Sequence, residues 1–160
     1  MFFDDVKEFS CRACSFTYYH NVAAGVGAIL ELDGKIVLIR RGKEPGKGKL
    51  DLPGGFVDPK ETAEEAIRRE VREELGIDIG TLKYFGSRPN LYEYEGVAYH
   101  TCDLFFYSKI DSVPTNLDRT EVQELVLMEL REVAFGEIAF PSVRACLSRF
   151  FAGATGDDAA

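Results

Sequence analysis

The sequence predicts one α+β domain, in which a mixed β-sheet is flanked by helices in an α/β/α sandwich. Three observations support this fold class. The chain has 160 residues, of which 46% are hydrophobic, enough for one compact domain with a substantial core. Two β-rich runs meet at Asp33-Gly34, a typical hairpin turn. A well-capped helical segment is followed by further β-rich runs, with no internal repeat and no linker.

The first half of the chain begins with the hairpin, whose strands we place at Val22–Leu32 and Lys35–Arg40. Residues 41–49 are rich in glycine and basic residues and predict a surface loop. A short strand over residues 50–52 then ends at Pro53-Gly54-Gly55. The chain therefore passes from the hairpin through a loop and a short strand to its main helix.

That helix is predicted at about Ala63–Leu75. Thr62 and Glu65 have the spacing of a capping box, and Gly76 is typical of the residue that follows a helix. Farther along, we expect strands and one more helix, after Pro141, at these positions: strands 79–85, 97–110 and 122–128, and a helix over 142–151. The predicted organisation is an N-terminal segment (1–21), the domain (22–152) and a flexible tail (153–160).

Charge and hydropathy exclude several classes of function. The formal net charge is −8 and the pI is about 4.8, which disfavours binding to nucleic acid polymers or to anionic membranes. The longest apolar stretch, Val22–Leu30, is too short to span a bilayer. The N-terminus lacks the pattern of a secretory signal, so we expect a cytoplasmic protein.

The helix over residues 63–75 carries the chemistry. Glu70 and Glu74, four residues apart, fall within its apolar stripe, and Glu73 lies at the edge of that stripe. Buried carboxylates need a compensating cation, and a cluster of oxygen ligands without His or Cys suits Mg²⁺ or Mn²⁺. Taken alone, the glutamates of a helix are more often a solvated face. The surrounding residues favour the metal.

A longer pattern contains these glutamates. It reads Gly55, five residues, Glu61, seven residues, and then the run Arg69–Ile77. This pattern matches every fixed position of the signature of the Nudix hydrolases, which cleave nucleoside diphosphates linked to another moiety. The preceding Leu52–Gly54 also resembles the family. The resemblance implies the Nudix fold and a metal-dependent hydrolase acting on acid anhydrides.

The resemblance also implies roles for individual residues. Glu70 and Glu74 would bind the metal directly, and Glu73 would be a further ligand or would support one. The carbonyl of Gly54 would be a backbone ligand. Arg69 would orient the carboxylates, and Glu61 would brace the loop before the helix. Together these groups would hold ions that bridge a pyrophosphate and activate a water.

The same resemblance places the general base on a loop after the main strands. Here that loop corresponds to residues 116–121, and Glu121 is the best candidate. Glu124 lies only two residues before Val126, so we expect it in the following strand. A solvated loop acid is the ordinary alternative for Glu121.

The substrate is indicated by weaker signals. Arg88, Tyr92 and Tyr94 combine a phosphate-binding side chain with two rings that can stack on a base, or they form a plain hairpin with surface tyrosines. The surrounding sequence is similar to Nudix enzymes acting on ADP-ribose and nucleoside diphosphate sugars. A dense basic patch would bind the terminal phosphate or keep its loop soluble; its members are Arg40, Arg41, Lys43, Lys47 and Lys49.

Other functions remain open at this stage. The two tyrosines also suit a dinucleoside polyphosphate enzyme, and NADH or a (d)NTP is a further alternative substrate. A Nudix-like module that binds nucleotide without turnover is the alternative from another class. Such a module would be expected to lack metal ligands, whereas this sequence keeps the full carboxylate set.

The cysteines raise one separate hypothesis. Cys11 and Cys14 form a CxxC pair, whereas Cys102 and Cys146 are single. The pair resembles half of the zinc ribbon that precedes the domain in NADH pyrophosphatases. Zinc needs four ligands, and only His20 lies nearby in sequence, so reduced cysteines or a site completed by a partner are the alternatives. The aromatic N-terminal segment is a candidate surface for a homodimer.

Overall fold

The computed structural model describes residues 8–154. Within this range the chain forms strands and helices that we number in chain order. The strands are β1 (Glu8–Ser10), β2 (Thr17–Tyr19), β3 (Ala23–Leu32), β4 (Lys35–Arg41), β5 (Leu50–Asp51), β6 (Gly54–Phe56), β7 (Lys83–Tyr94), β8 (Val97–Lys109) and β9 (Val122–Glu129). The helices are α1 (Ala63–Leu75) and α2 (Pro141–Ala154), with short 3₁₀ turns at Leu130–Glu132 and Phe135–Glu137.

Seven of these strands form one mixed sheet. Its main path is β5-β4-β3-β8-β7, while β6 pairs with β3 and β9 pairs with β4. The β3-β8 pair is parallel, and the other pairs in the sheet are antiparallel. Strands β1 and β2 form a separate two-stranded hairpin.

Each face of the sheet is covered by one helix. On one face, Ile67 and Val71 of α1 pack against Ala28 and Leu30 of β3. On the other face, Leu147 of α2 packs in the cluster that contains Ile29, Leu38 and Phe105. Successive residues of a strand point to opposite faces, so β3 contributes to both cores. The α/β/α sandwich predicted from the sequence is confirmed.

Local sequence signals place the first elements correctly. Asp33 and Gly34 both have positive φ, at 49° and 78°, as the two-residue turn of this hairpin requires. Thr62 accepts the N–H of Glu65, whose carboxylate in turn accepts the N–H of Thr62. Gly76 ends α1 in the left-handed conformation, at φ 67°. The bounds of α1 match the prediction because these signals are local.

The prediction for the following strand was wrong at both ends. Residues 79–82 are not in a strand, and β7 begins at Lys83 and continues through Pro89 to Tyr94. The path of the sheet places β7 at an edge, where it pairs with β8. A proline at an edge position disrupts no inner ladder, so Pro89 does not end the strand.

Both ends of the described range contain secondary structure that the sequence analysis does not predict. Residues 8–19 form the β1-β2 hairpin, which the sequence did not predict. Helix α2 continues to Ala154, two residues into the segment expected to be flexible, and the rest of that tail lies outside the described residues. No helix in the described range is long and apolar enough to cross a membrane.

Candidate active site

One cavity of about 890 Å³ brings together side chains from distant parts of the chain. The glutamates of α1 form one wall, and the β7-β8 hairpin forms another. The loop after β4 and the segment that leads into α2 close the remaining sides. The predicted site residues that line it are Arg41, Gly54, Glu70, Glu73, Glu74, Tyr92, Tyr94 and Glu121.

Glu74 is the most deeply buried of these carboxylates, with 5% of its surface exposed. Its Oε2 accepts the backbone N–H of Gly54 at 2.9 Å. Burial raises the pKa of Glu74 well above its ordinary value, and the carboxylate of Glu70 adds to the effect. A cation beside this carboxylate would lower its pKa again, because it would favour the charged form.

Glu70 lies one helical turn earlier and faces the same cavity. The backbone of Gly55 packs so close to it that a Cβ there would stand 2.3 Å from Oε1 of Glu70. Burial also raises the pKa of Glu70, while Arg69 partly opposes this effect. Glu73 also lines the cavity, but its side chain is 59% exposed. Glu74 is therefore buried, Glu70 is half-buried, and Glu73 is exposed to solvent.

Arg69 connects these glutamates to the loop before α1. Its Nη1 donates to Glu70 at 2.8 Å and to Glu73 at 3.1 Å. Its Nη2 donates to the carbonyl of Phe56 at 3.0 Å. Nε and Nη2 donate to the two oxygens of Glu61 at 2.9 and 3.0 Å. The hydrogen bonds from Arg69 hold the pKa of Glu61 below its ordinary value.

Glu121 lies in the loop before β9 and lines the cavity together with the α1 glutamates. Lys43, in the loop after β4, forms an ion pair with Oε1 of Glu121. This hydrogen bond raises the pKa of Lys43. The negative charge of Glu121 contributes to the raised pKa of both Glu70 and Glu74, so the three carboxylates share one electrostatic environment. Glu124 belongs to β9, as expected, and pairs with Arg40.

The aromatic residues proposed for substrate binding also line the cavity. Tyr92 stacks on Phe140 with ring centroids 5.6 Å apart, and Phe56 meets Tyr92 edge-on at 5.3 Å. The guanidinium of Arg41 lies 4.8 Å from the ring centre of Phe140. Tyr94, at the end of β7, is 45% exposed. The cavity therefore has apolar walls in addition to its acidic wall.

Two arginines proposed for substrate binding lie elsewhere. Arg40 donates to Glu124 at 2.9 Å and to the carbonyl of Gly48 at 2.8 Å, and it is not among the cavity-lining residues. Arg88 lines a separate small crevice near Cys146 and Arg149 on α2. The structure therefore groups Tyr92 and Tyr94 with the glutamates, but not Arg88.

A family model described as the NUDIX domain matches residues 20–147. This range covers most of the chain and contains both helix α1 and Glu121. The chain belongs to the NUDIX family. Members of this family generally use divalent metal ions, which agrees with the acidic wall of the cavity.

Curated relatives match this Nudix chain over part of their length. An ADP-ribose pyrophosphatase from Methanocaldococcus jannaschii is 48% identical over 62 residues, which are 39% of this chain and 37% of the relative. The NAD-capped RNA hydrolase NudC from Vibrio atlanticus is 33% identical over 79 residues, or 49% of this chain and 29% of the relative. The matched segments thus cover roughly a third of the length of these relatives.

Solved structures of Nudix proteins match more of the chain. The crystal structure of a MutT NUDIX hydrolase from Burkholderia pseudomallei has a TM-score of 0.70 and 25% sequence identity, covering 81% of this chain and 98% of that chain. A MutT protein from Methanosarcina mazei has a TM-score of 0.68 and 27% identity, covering 82% and 94%. The predicted Nudix fold is confirmed.

The chemistry of the Nudix cavity fits a hard divalent cation. Its acidic wall offers carboxylate oxygens, and burial raises the pKa of two of these carboxylates, Glu70 and Glu74. Within the described residues, no three His, Cys, Asp or Glu side chains are close enough to hold an ion as a set. Mg²⁺ commonly binds one or two carboxylates and takes its other ligands from water and substrate phosphates. Glu70 and Glu74 satisfy that requirement.

The sequence analysis did not single out several residues that line the cavity. Phe56 and Phe140 add aromatic surface to its lining, and Asp51 and Asp103 add two further carboxylates. An isolated aspartate within an apolar strand, as in Thr101–Phe106, is a signal that would have singled out Asp103. Phe140 offers no such signal, because its place beside Tyr92 depends on the tertiary fold.

The CxxC pair lies at the turn of the β1-β2 hairpin. The thiols of Cys11 and Cys14 are free, and hydrogen bonds from the backbone N–H groups of Ala13 and Cys14 lower the pKa of Cys11. Tyr19 pairs with Glu8 at the opposite end of the hairpin, and His20 directly follows it. His20 is therefore separated from the cysteines by the length of the hairpin, and the choice between zinc binding, reduced cysteines and a site completed by a partner stays open.

Proposed function

We propose that this chain hydrolyses the pyrophosphate bond of nucleoside diphosphate-X compounds, with ADP-ribose and nucleoside diphosphate sugars as substrates. The products would be a nucleoside monophosphate and a sugar phosphate, with Mg²⁺ or Mn²⁺ as cofactor. One observation carries the proposal: Glu70, Glu74 and Glu121 line the same cavity as Tyr92 and Tyr94. An acidic wall for a metal-bound diphosphate thus lies beside rings that can stack on a base.

The metal-binding and general-base roles fall to residues that line this cavity. Glu70 and Glu74 would hold the cation, together with the carbonyl of Gly54. A bound divalent cation neutralises the pyrophosphate and lowers the pKa of the attacking water. Arg69 keeps the carboxylate of Glu70 in place through its hydrogen bond at 2.8 Å. Glu73, which is exposed at the edge of the cavity, would support the metal ligands or bind a further ion.

Glu121 would accept the proton of the attacking water. The oxygen of that water would attack one phosphorus atom, and the bond from this phosphorus to the bridging oxygen would break. Lys43 donates to Oε1 of Glu121 and so helps to orient this carboxylate in the cavity. Arg41 and Lys43 also provide positive charge in a cavity that must admit a polyanion.

The relatives support this substrate class. The M. jannaschii relative is an ADP-ribose pyrophosphatase, and the V. atlanticus relative is a NAD-capped RNA hydrolase. The substrates named for both contain a nucleoside diphosphate linked to a second group. The cytoplasmic location, the homodimer and the lack of a nucleic acid partner stay predictions.

A substrate panel tests the proposal. ADP-ribose, a nucleoside diphosphate sugar, NADH, a dinucleoside polyphosphate and a dNTP would each be incubated with the protein and Mg²⁺, and the products identified by mass spectrometry. We expect cleavage of the first two at the pyrophosphate and little turnover after EDTA treatment. Faster hydrolysis of the dNTP or of the dinucleoside polyphosphate would contradict the substrate class. No hydrolysis of any compound, together with nucleotide binding, would indicate the non-catalytic module.

A further inference from the structure

The cavity is lined by two further carboxylates that the proposed hydrolysis does not use. Asp51 ends β5, and Asp103 lies in the middle of β8. Both line the cavity, and we call these two residues the acidic floor. Asp51 is buried, with 6% of its surface exposed, and Asp103 is half-buried. The charge of Asp103 helps to raise the pKa of Asp51, so the two carboxylates interact.

The acidic floor carries an excess of negative charge. Oδ2 of Asp51 pairs with Nη1 of Arg41 at 2.8 Å, and its Oδ1 accepts the backbone N–H of Leu52 at 2.9 Å. Asp103 is bound instead by two neutral hydroxyls: Thr101 donates to Oδ1 at 2.7 Å, and Ser142 donates to Oδ2 at 2.6 Å. Within the described residues, no lysine or arginine forms an ion pair with Asp103. A shielded carboxylate without a cation favours a ligand that brings hydrogen-bond donors.

The fold holds the Asp103 carboxylate in position. Asp103 pairs with Gly25 in the parallel ladder between β8 and β3. A Cβ at residue 25 would stand only 2.6 Å from Oδ1 of Asp103, so the glycine provides the space that this carboxylate occupies. The hydroxyl from β8 and the one from α2 fix one oxygen each. Each carboxylate oxygen retains further acceptor capacity for a ligand.

The groups around the floor complete a pocket rich in acceptors and aromatic surface. Asn90 lines the cavity, and its buried Oδ1 accepts no hydrogen bond from any described residue. The stacked rings of Tyr92 and Phe140 lie along the same cavity. Rings beside a floor of acceptors suit a flat heterocycle or a sugar with several donors. Phosphate groups would be repelled by the floor and attracted to a metal at the α1 wall.

We propose that Asp103 is a specificity-determining residue that accepts hydrogen bonds from paired donors on the nucleoside end of the substrate. The shared chemistry is a pair of N–H or O–H donors, either the two N–H bonds of one exocyclic amine or two hydroxyls on neighbouring carbons. An amino-bearing base edge and the 2′,3′-diol of a ribose are its two sources. This inference rests on the proposed function for the orientation of the substrate, with its phosphates toward Glu70 and Glu74 and its nucleoside toward the floor.

Binding of nucleoside monophosphates tests the inference without requiring turnover. Titration calorimetry with Mg²⁺ present would compare AMP with IMP, which lacks the amino group, and with 2′,3′-dideoxy-AMP, which lacks the diol. We expect the wild type to bind AMP about 10- to 100-fold more tightly than the analogue that lacks the recognised donors. Weaker binding of IMP alone would identify the base edge as the source, and weaker binding of dideoxy-AMP alone would identify the diol.

Asp103→Asn should abolish this preference. The amide keeps the size of the side chain but removes the charge, so AMP should lose about 10- to 100-fold in affinity while the affected analogue changes by less than about threefold. Asp111→Asn makes the same chemical change at an exposed position after β8 and should leave all three affinities unchanged. Equal affinity of the wild type for the three nucleotides, or equal losses on all three in Asp103→Asn, would overturn the inference.

A second variant covers the case in which Asp103→Asn does not fold. Ser142→Ala removes the donor to Oδ2 but retains the carboxylate, and it should reduce the preference for AMP by about 3- to 10-fold without affecting the analogue. An unchanged preference in this variant would count against the inference. The proposed function fails separately: discrimination in binding with no hydrolysis of any diphosphate would refute the hydrolase and leave the role of Asp103 intact.

Discussion

Arg69 donates from Nε and Nη2 to the two carboxylate oxygens of Glu61, at 2.9 and 3.0 Å. This two-point contact links the loop before α1 to the helix that carries the acidic wall. The same guanidinium also reaches Glu70 and Glu73, so one side chain fixes three carboxylates relative to one another. Contacting all three carboxylates requires the planar set of N–H donors of a guanidinium, which a lysine does not have.

Arg69→Lys is therefore expected to lower both stability and activity. The lysine keeps the charge but loses the paired contact to Glu61, which should cost about 1–3 kcal/mol in the free energy of unfolding. Urea unfolding and kcat/KM with Mg²⁺ measure the two effects. Arg72→Lys is the matched control, because Arg72 lies on the same helix, is 64% exposed and pairs with the exposed Asp78. A loss in Arg69→Lys no larger than in the control would contradict the bracing role.

Glu74→Gln tests the metal site. Gln has the same size without the charge, so loss of a ligand should reduce kcat/KM by at least about 10- to 100-fold. Without metal, the variant should be at least as stable as the wild type, since burial already disfavours the ionised carboxylate. Mg²⁺ should raise the Tm of the wild type but not of Glu74→Gln.

The control for this prediction is Glu64→Gln, an exposed position in the first turn of the same helix. It should keep both the activity and the Mg²⁺-dependent increase in Tm. Full activity of Glu74→Gln, or of wild type treated with EDTA, would refute the assignment of the metal site.

Local signals explain what could be predicted of the fold. Thr62, Glu65 and Gly76 determine the ends of α1 through contacts within a few residues, and its bounds were predicted correctly. The course of β7 depends instead on its place at the edge of the sheet, where Pro89 is tolerated. The edge position of β7 is a property of the tertiary fold. The strand propensity of the sequence, which ends at Phe85, does not indicate it.

The same distinction applies to the site. Glu70 and Glu74 could be found because helical periodicity alone places them on the apolar stripe. Asp103 stands out in sequence only as an isolated aspartate within an apolar strand, and its place in the cavity could not be predicted, because its environment depends on Ser142, which is 39 residues away in sequence. Arg88 shows the opposite case: its residue type suits phosphate binding, but the structure places it beside Cys146 rather than in the cavity.

Asp51 predicts a pH dependence of stability. Burial raises its pKa from 3.8 to about 6, and the pairing with Arg41 only partly offsets this. Between these values the folded state binds more protons than the unfolded state, so the contribution of Asp51 to the free energy of unfolding decreases as pH rises. The decrease should be about 2 kcal/mol from pH 4 to pH 7, most of the roughly 3 kcal/mol for the full titration at 1.36 kcal/mol per pKa unit.

Unfolding by urea at a series of pH values measures this effect. The stability difference between wild type and Asp51→Asn should fall through this range, because the variant lacks the titrating group. Asp78→Asn, at a carboxylate that is 77% exposed, should show no comparable trend. Parallel stability curves for wild type and Asp51→Asn would contradict the raised pKa.

Glu121→Gln tests the general base. Glu121 lines the same cavity as Glu70 and Glu74. Its side chain is 42% exposed and pairs with that of Lys43, which is 55% exposed. An amide cannot accept the proton of the attacking water, so kcat at saturating Mg²⁺ and substrate should fall by about 10²- to 10⁴-fold with little change in metal affinity.

Glu124→Gln is the matched control, since Glu124 is three residues away and pairs with Arg40 outside the cavity. It should lose less than about threefold. A loss below about threefold in Glu121→Gln, with a large loss in Glu73→Gln, would assign the base to Glu73 instead, because Glu73 is the exposed carboxylate at the edge of the same wall.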